Sequence, residues 1–225
     1  MHEIAQRLAA IRAKIDGALR RAGDRDRAVT IVGVTKNAPA ALVEAAAAAG
    51  VTDVGENRVQ EALGKAKAVH AAVRWHLIGH LQRNKVKQAV ELFTVIHSVD
   101  SPRLVDALAA TGRPLEVFLQ VNITGETTKY GAHPDDVRAL RQQALRASSL
   151  RVTGLMAMAP LGGDPRPGFR ALRQLRDDLD RAGDGPPLPH LSMGMSDDYV
   201  VAVEEGATHV RIGTALVGGK AAGGR

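Results

Sequence analysis

One lysine, one arginine and two turns rich in glycine and hydroxyl groups carry the chemistry that this 225-residue sequence could do. Lys36 closes the run Val34-Thr35-Lys36-Asn37. An amine placed so at a strand end is expected to enter the mouth of a parallel sheet partly desolvated, where its pKa can fall and it can condense with an aldehyde. Taken alone, Lys36 reads better as a surface lysine at a strand end. Near the other end of the chain stand Ser192-Met193-Gly194-Met195-Ser196-Asp197 and Arg211-Ile212-Gly213-Thr214-Ala215. Hydroxyls, small residues and free backbone N–H groups at the start of a helix make a cradle for an anion. Glycines that merely make turns explain one such loop. Two loops together with Lys36 favour a site for an aldehyde that carries a phosphate.

These residues must be positioned by a scaffold, and the chain supplies a regular one. After an amphipathic helix over residues 4–22, short β-branched runs fall at 29–34, 51–55, 75–79, 94–99, 115–121, 152–158, 190–193 and 209–212. Between them lie Ala-, Leu- and Arg-rich amphipathic runs ended by Gly or Pro, at 39–50, 58–69, 84–91, from Pro102, 133–147, up to Arg181, and 197–205. A short turn and a Gly-rich tail follow the last strand. Strands alternating with helices imply parallel βαβ units, and strands apolar on both faces imply a sheet buried on both sides. An open doubly wound sheet shows the same alternation. The unusual residues fall at or just past the C-terminal ends of the strands, and that favours a (β/α)8 TIM barrel, which builds its site on that face and holds phosphate after strands seven and eight. With no linker or shift in composition, one domain over residues 1–225 with an extra N-terminal helix is expected.

Composition removes other readings. The chain has no cysteine, so disulfides, thiolate zinc sites and thiol nucleophiles are excluded. Its formal charge is +6, but the basic residues are scattered at helical spacing, and three Phe, two Tyr and one Trp give no stacking platform for bases. An Arg-rich solvated surface is preferred over nucleic-acid binding. No apolar run approaches a membrane span, and no signal-peptide pattern opens the chain, so a cytoplasmic protein is expected. His76, His80, His97, His190 and His209 lie on or near strands. None forms a close pair at i, i+4 on a helix and no carboxylates are grouped with them, so structural or pocket-lining imidazoles are expected and no metal site.

The longer motifs resemble a known family. They are Gly33-Val34-Thr35-Lys36, Val54-Gly55-Glu56-Asn57-Arg58-Val59-Gln60-Glu61, Trp75-His76-Leu77-Ile78-Gly79-His80-Leu81-Gln82 with Asn84-Lys85, and His97-Ser98-Val99-Asp100. Further on come Gln120-Val121-Asn122 with Glu126, Lys129 and Gly131, then Gly154-Leu155-Met156-Ala157-Met158. Last are Leu191 to Tyr199 and Gly206 to Thr214. In this order, over nearly the whole chain, they resemble the pyridoxal phosphate homeostasis proteins, relatives of the alanine racemase barrel. The resemblance implies that Lys36 forms the Schiff base with pyridoxal 5′-phosphate. It implies that Ser192, Gly213 and Thr214 hold the phosphate, that Arg211 faces the pyridine nitrogen and that Asn57 lines the cofactor edge. Ile78, Met156 and Met193 are implied as walls. His80 departs from the small residue or Pro usual after Ile-Gly, and Thr35 and Asn37-Ala38 also depart from the pattern around the lysine. Arg83, Lys85, Lys87 and Lys129 are solvated charges by their own pattern; the resemblance hints at a second place where the cofactor lands.

The resemblance implies a protein that binds, buffers or delivers the cofactor inside the cell, with pyridoxal-phosphate-dependent apoenzymes as recipients, rather than an enzyme. An arginine at the pyridine nitrogen leaves the ring a weak electron sink. Related racemases take a second acid/base tyrosine from another domain, whereas this sequence stops after the barrel at Arg225. Of its tyrosines, Tyr199 reads as a packing residue and Tyr130 lies in a loop. The expectation is an open site on a monomer; the alternative is a fold-type III pyridoxal phosphate enzyme such as an amino-acid racemase.

Overall fold

The alternation closes on itself. In the computed structural model, which describes residues 2–126, 130–160 and 162–218, eight parallel strands form a closed barrel in the order β1 to β8. They are β1 (Thr30–Val34), β2 (Asp53–Glu56), β3 (Arg74–Leu77), β4 (Val95–Val99), β5 (Leu115–Gln120), β6 (Leu150–Met156), β7 (His190–Met195) and β8 (His209–Ile212). The closing pair is β1 with β8, in the register Thr30↔His209 to Gly33↔Ile212. Closure leaves no unpaired strand edge.

Around the barrel run α1 (His2–Ala22), α2 (Ala40–Ala48), α3 (Val59–Ala66), α4 (Val86–Ala89), α5 (Pro102–Ala109), α6 (Val137–Leu145), α7 (Arg166–Arg181), α8 (Tyr199–Glu204) and α9 (Thr214–Val217). The extra helix α1 buries Ile4, Leu8, Ile11, Ile15, Ala18 and Leu19. That spacing puts one apolar stripe along the helix, and the stripe lies against α8 and α9. Residues 84–91, predicted as one helix, divide into a 3-10 turn over Arg83–Lys85 and the short α4. A helix, α9, stands where a bare turn was expected after the last strand. The Gly-rich tail over residues 219–225, like Lys129 and Leu161, lies outside the described residues.

Two cores result. The large one joins the outward faces of the strands to the helices, and the small one, Val95, Phe118 and Met156, lies inside the barrel. The expectation of strands apolar on both faces holds only for the outward one. Buried polar residues from five strands, among them His76, His97, Gln120, Ser192, His209 and Arg211, share the interior with Phe118 and Met156. A polar interior is tolerable because its members bond one another; an unmatched buried donor or acceptor costs about 1–3 kcal/mol. No described helix is long and apolar enough to cross a membrane.

Candidate functional site

Lys36 follows β1 by two residues, in a turn that the structure holds from beneath. Thr35 N donates to Gly55 O at 3.2 Å, continuing the β1–β2 pairing one residue further. The buried Lys65 of α3 donates to Thr35 O at 2.6 Å and to Glu56 Oε1 at 2.5 Å. The same oxygen of Glu56 accepts the Thr35 hydroxyl at 2.6 Å. On the far side of the lysine, Asn37 N donates to Glu61 Oε1 at 2.6 Å, and Asn37 takes a left-handed φ of 59°. Both backbone neighbours of Lys36 are therefore tied to α3 and to the end of β2. The Lys36 side chain itself is exposed, which corrects the expected partial desolvation. The turn reverses immediately beyond the strand and carries the side chain out of the packed wall.

The strand ends beside Lys36 bring small residues, hydroxyls and backbone N–H groups together. The β1–β8 register pairs Gly33 with Ile212, so Gly213 and Thr214 leave β8 at the level where the chain turns into Lys36. A Cβ placed on Gly213 would lie 3.6 Å from the Val34 side chain, so the two segments are in contact. From the other side, the Ser196 hydroxyl accepts Ala215 N at 3.3 Å. Serine and threonine hydroxyls and the backbone of residues 213–215 thus come from two neighbouring strand ends. Gly194 makes the approach possible. Its φ is +92°, and a Cβ there would stand 2.5 Å from that of Ala202.

Ser192 is not part of this cradle. It is fully buried, and its hydroxyl is engaged by His97 Nδ1 at 2.8 Å and by Arg211 Nη1 at 2.8 Å. β7 continues to Met195, two residues further than predicted, so Ser192 sits within the strand and Ser196 beyond its end. Met193 is likewise misplaced as a wall. The adjacent Ser192 and Met193 point to opposite faces of the strand, and Met193 belongs to the outer core beneath the helices. Met156 does face the barrel interior, packed with Val95 and Phe118. Ile78, half-buried, leans over Gly55, where a Cβ would meet its Cδ1 at 3.2 Å. Asn57 is half-buried, with its backbone pressed against Gly79.

Arg211 lies buried in the interior near the mouth. It donates to Ser192 O at 2.8 Å, to Ser192 Oγ at 2.8 Å and to Ala157 O, just past β6, at 3.0 Å. Burial pulls the guanidinium down to about 10, so it is still a cation at neutral pH. A guanidinium has more donors than these three bonds use, so N–H groups are left to offer an acceptor.

Four strand ends, β2, β1, β8 and β7 in spatial order, thus gather Asn57, Lys36, Gly213, Thr214 and Ser196, with Arg211 beneath them. Tyr199 is buried in α8, while Tyr130 is exposed after β5 and stacks on His80 with centroids 4.1 Å apart. Arg83 and Lys87 line a separate cleft of about 520 Å³ with Ala107 and Ala110 of α5. Among the described residues, no three His, Asp or Glu converge as metal ligands. A carboxylate does accompany the histidines, contrary to expectation: Asp53 meets His76 Nε2 at 2.9 Å. The strands that bring these two together are adjacent in the barrel but 23 residues apart in the chain, so no local spacing reveals the pair.

Residues 6–221 match the family of the alanine racemase N-terminal domain. A pyridoxal phosphate homeostasis protein of Pseudomonas aeruginosa is 42% identical over 98% of this chain and 97% of its own. Another, from Aquifex aeolicus, is 40% identical over 95% and 96%. The solved structure of PipY from Synechococcus elongatus with PLP bound superposes with a TM-score of 0.83 at 38% identity, covering 96% of this chain and all of that one.

Proposed function

The chain belongs to the alanine racemase N-terminal domain family and, within it, to the pyridoxal phosphate homeostasis proteins, and on that premise we propose that it binds pyridoxal 5′-phosphate at the barrel mouth and holds it for exchange. The observation that carries this reading is the adjacency of Lys36, the Ser196–Gly213–Thr214 cradle and the buried Arg211 cation. When bound, pyridoxal phosphate supplies an aldehyde, a ring nitrogen that accepts a hydrogen bond and a phosphate anion. The residues present fit each of these. Lys36 is the covalent anchor. Ser196, Gly213 and Thr214 hold the phosphate, with Ser196 taking the role first expected of Ser192. Arg211 offers its remaining N–H donors to the ring nitrogen, and Asn57, Ile78 and Met156 line the ring.

Holding rather than turnover is supported by exposure. Lys36 and Thr214 both face solvent, whereas an efficient catalytic site excludes water around its reacting groups. An exposed anchor lets an incoming amine or an apoenzyme reach the cofactor. A racemase needs a second proton donor across from Lys36. Tyr199 is buried in α8, and Tyr130 is engaged with the His80 ring.

The protein loaded with pyridoxal phosphate, freed of excess and mixed with an apo-aminotransferase, should activate that enzyme. Mixed with L- or D-alanine alone, it should release cofactor without making the other enantiomer or a keto acid. Catalytic accumulation of either product would overturn the proposal in favour of an enzyme. Ser196→Ala should weaken pyridoxal phosphate binding about tenfold, the loss of one bond to a charged group, and leave binding of pyridoxal unchanged.

A further inference from the structure

Four hydrogen bonds run in series through the barrel interior. Asp53 Oδ1 meets His76 Nε2 at 2.9 Å, and His76 Nδ1 meets His97 Nε2 at 2.8 Å. His97 Nδ1 meets Ser192 Oγ at 2.8 Å, and Ser192 Oγ meets Arg211 Nη1 at 2.8 Å. The chain starts at the first residue of β2, on the N-terminal side of the barrel, and crosses β3, β4 and β7 to end on β8 beneath the mouth.

The two ends dictate its direction. Arg211 can only donate, and an ionised Asp53 can only accept. Burial works against the Asp53 charge, but hydrogen bonds from His76 and Thr52 outweigh it and hold the carboxyl below its ordinary range. Burial also depresses His76, and it depresses His97 far more, with His76, His209, Arg211 and Arg74 adding to the effect. Both shifts favour the neutral ring. One assignment then satisfies all four links: Arg211 donates to Ser192, Ser192 to His97 Nδ1, His97 Nε2–H to His76 Nδ1, and His76 Nε2–H to Asp53. The reverse arrangement would aim a bare ring nitrogen of His76 at a carboxylate. Phe118, stacked on His97 with centroids 4.4 Å apart, keeps that ring in the plane the chain needs.

We infer that Asp53, His76, His97 and Ser192 form a positioning relay, in which a carboxylate at the far end of the barrel sets the tautomers of two histidines and through them the orientation of Arg211. His76, His97 and Ser192 are positioning residues. They act through Arg211, and only that last step rests on the proposed cofactor site. Isolated core histidines would each be satisfied by local partners. Here every donor direction depends on the next link, so a change at Asp53 must be felt at His97, which it does not touch.

The test is long-range ¹H–¹⁵N spectroscopy of histidine side chains in the full chain, without added cofactor. Wild type should show His76 and His97 neutral, each protonated on Nε2. Asp53→Asn should shift the ring nitrogens of His97 as well as His76, and Ser192→Ala should shift His76 as well as His97. Changes confined to the substituted residue's direct neighbour would overturn the relay, as would a wild-type His97 protonated on Nδ1. The wild-type tautomers decide the matter even where a variant fails to fold. Asp53→Asn should also weaken pyridoxal phosphate binding by about threefold to tenfold. If wild type fails to bind the cofactor at all, the proposed site falls while the spectra still judge the relay.

Discussion

Lys65→Met is expected to remove about 3–5 kcal/mol of folding stability, the usual cost of breaking a buried ion pair from one side. Both partners are sequestered: the Lys65 side chain is 5% exposed and that of Glu56 0%. Among the described residues Glu56 Oε2 has no hydrogen-bond partner, so the carboxyl depends on what reaches Oε1, which is Lys65 and the Thr35 hydroxyl. Burial raises the Glu56 pKa even with that help. Without the ammonium group, the carboxylate must take up a proton or stay charged in the core, and Thr35 O keeps only the Ala38 N–H as donor. For a chain of this size the melting temperature should fall by about 6–20 °C. Adding Glu56→Gln to Lys65→Met should recover part of the loss, because a neutral amide no longer carries an uncompensated charge. A loss below about 1 kcal/mol in the single variant would mean that the pair is not what secures this corner of the barrel. Since Lys65 also ties down the residue before Lys36, the same variant should capture pyridoxal phosphate more slowly.

The second large effect is a loss of stability in mild acid. His209 is buried and held down to about 3, first by desolvation and then by His190 and His76. His97 is pressed in the same direction, and His76 and His190 less so. In the unfolded chain each titrates near its ordinary value of about 6.5. A folded pKa below the unfolded one means that the unfolded state binds the extra proton. The stability from a neutral core is therefore complete above about pH 6.5 and drains away as pH falls toward the folded values. For His209 alone this amounts to roughly 2–3 kcal/mol between pH 6.5 and 4.5. Asp53, Glu205 and other carboxyls whose pKa is lowered add their losses only in the carboxylate range below that. Urea midpoints should therefore drop already between pH 6.5 and 5, and His209→Asn should flatten that drop. A midpoint constant from pH 7 down to 5 would show that these histidines accept protons in the folded state.

The barrel was legible because its strands are short β-branched runs at regular spacing, each followed by an amphipathic run. The β8 prediction matches the structure residue for residue. Lys36 and Gly213-Thr214 stood out in the sequence because each falls just past the end of a β-branched run, and the structure sets those two strand ends side by side. The position of Ser196 beyond the strand was not legible, since it depended on where β7 ends. A signal was nonetheless present: consecutive strand residues face opposite sides, so Ser192 and Met193 could not both line one cavity. Nothing local points to the pairing of Lys65 with Glu56 at 2.5 Å, because a lysine in an amphipathic helix reads as solvated. The Asp53–His76–His97–Ser192–Arg211 chain was hidden for a similar reason. Its members come from five strands, and only barrel closure brings them into line.

The most direct measurement is to incubate the protein with pyridoxal 5′-phosphate, reduce with borohydride, digest, and locate the modified lysine by mass spectrometry, with Lys36→Ala in parallel. The cofactor's mass should be found on the peptide that carries Lys36, and Lys36→Ala should lose that label while the fold is retained. A label spread over surface lysines at equal yield in both proteins, or centred on another lysine, would contradict a cofactor site built at the end of β1.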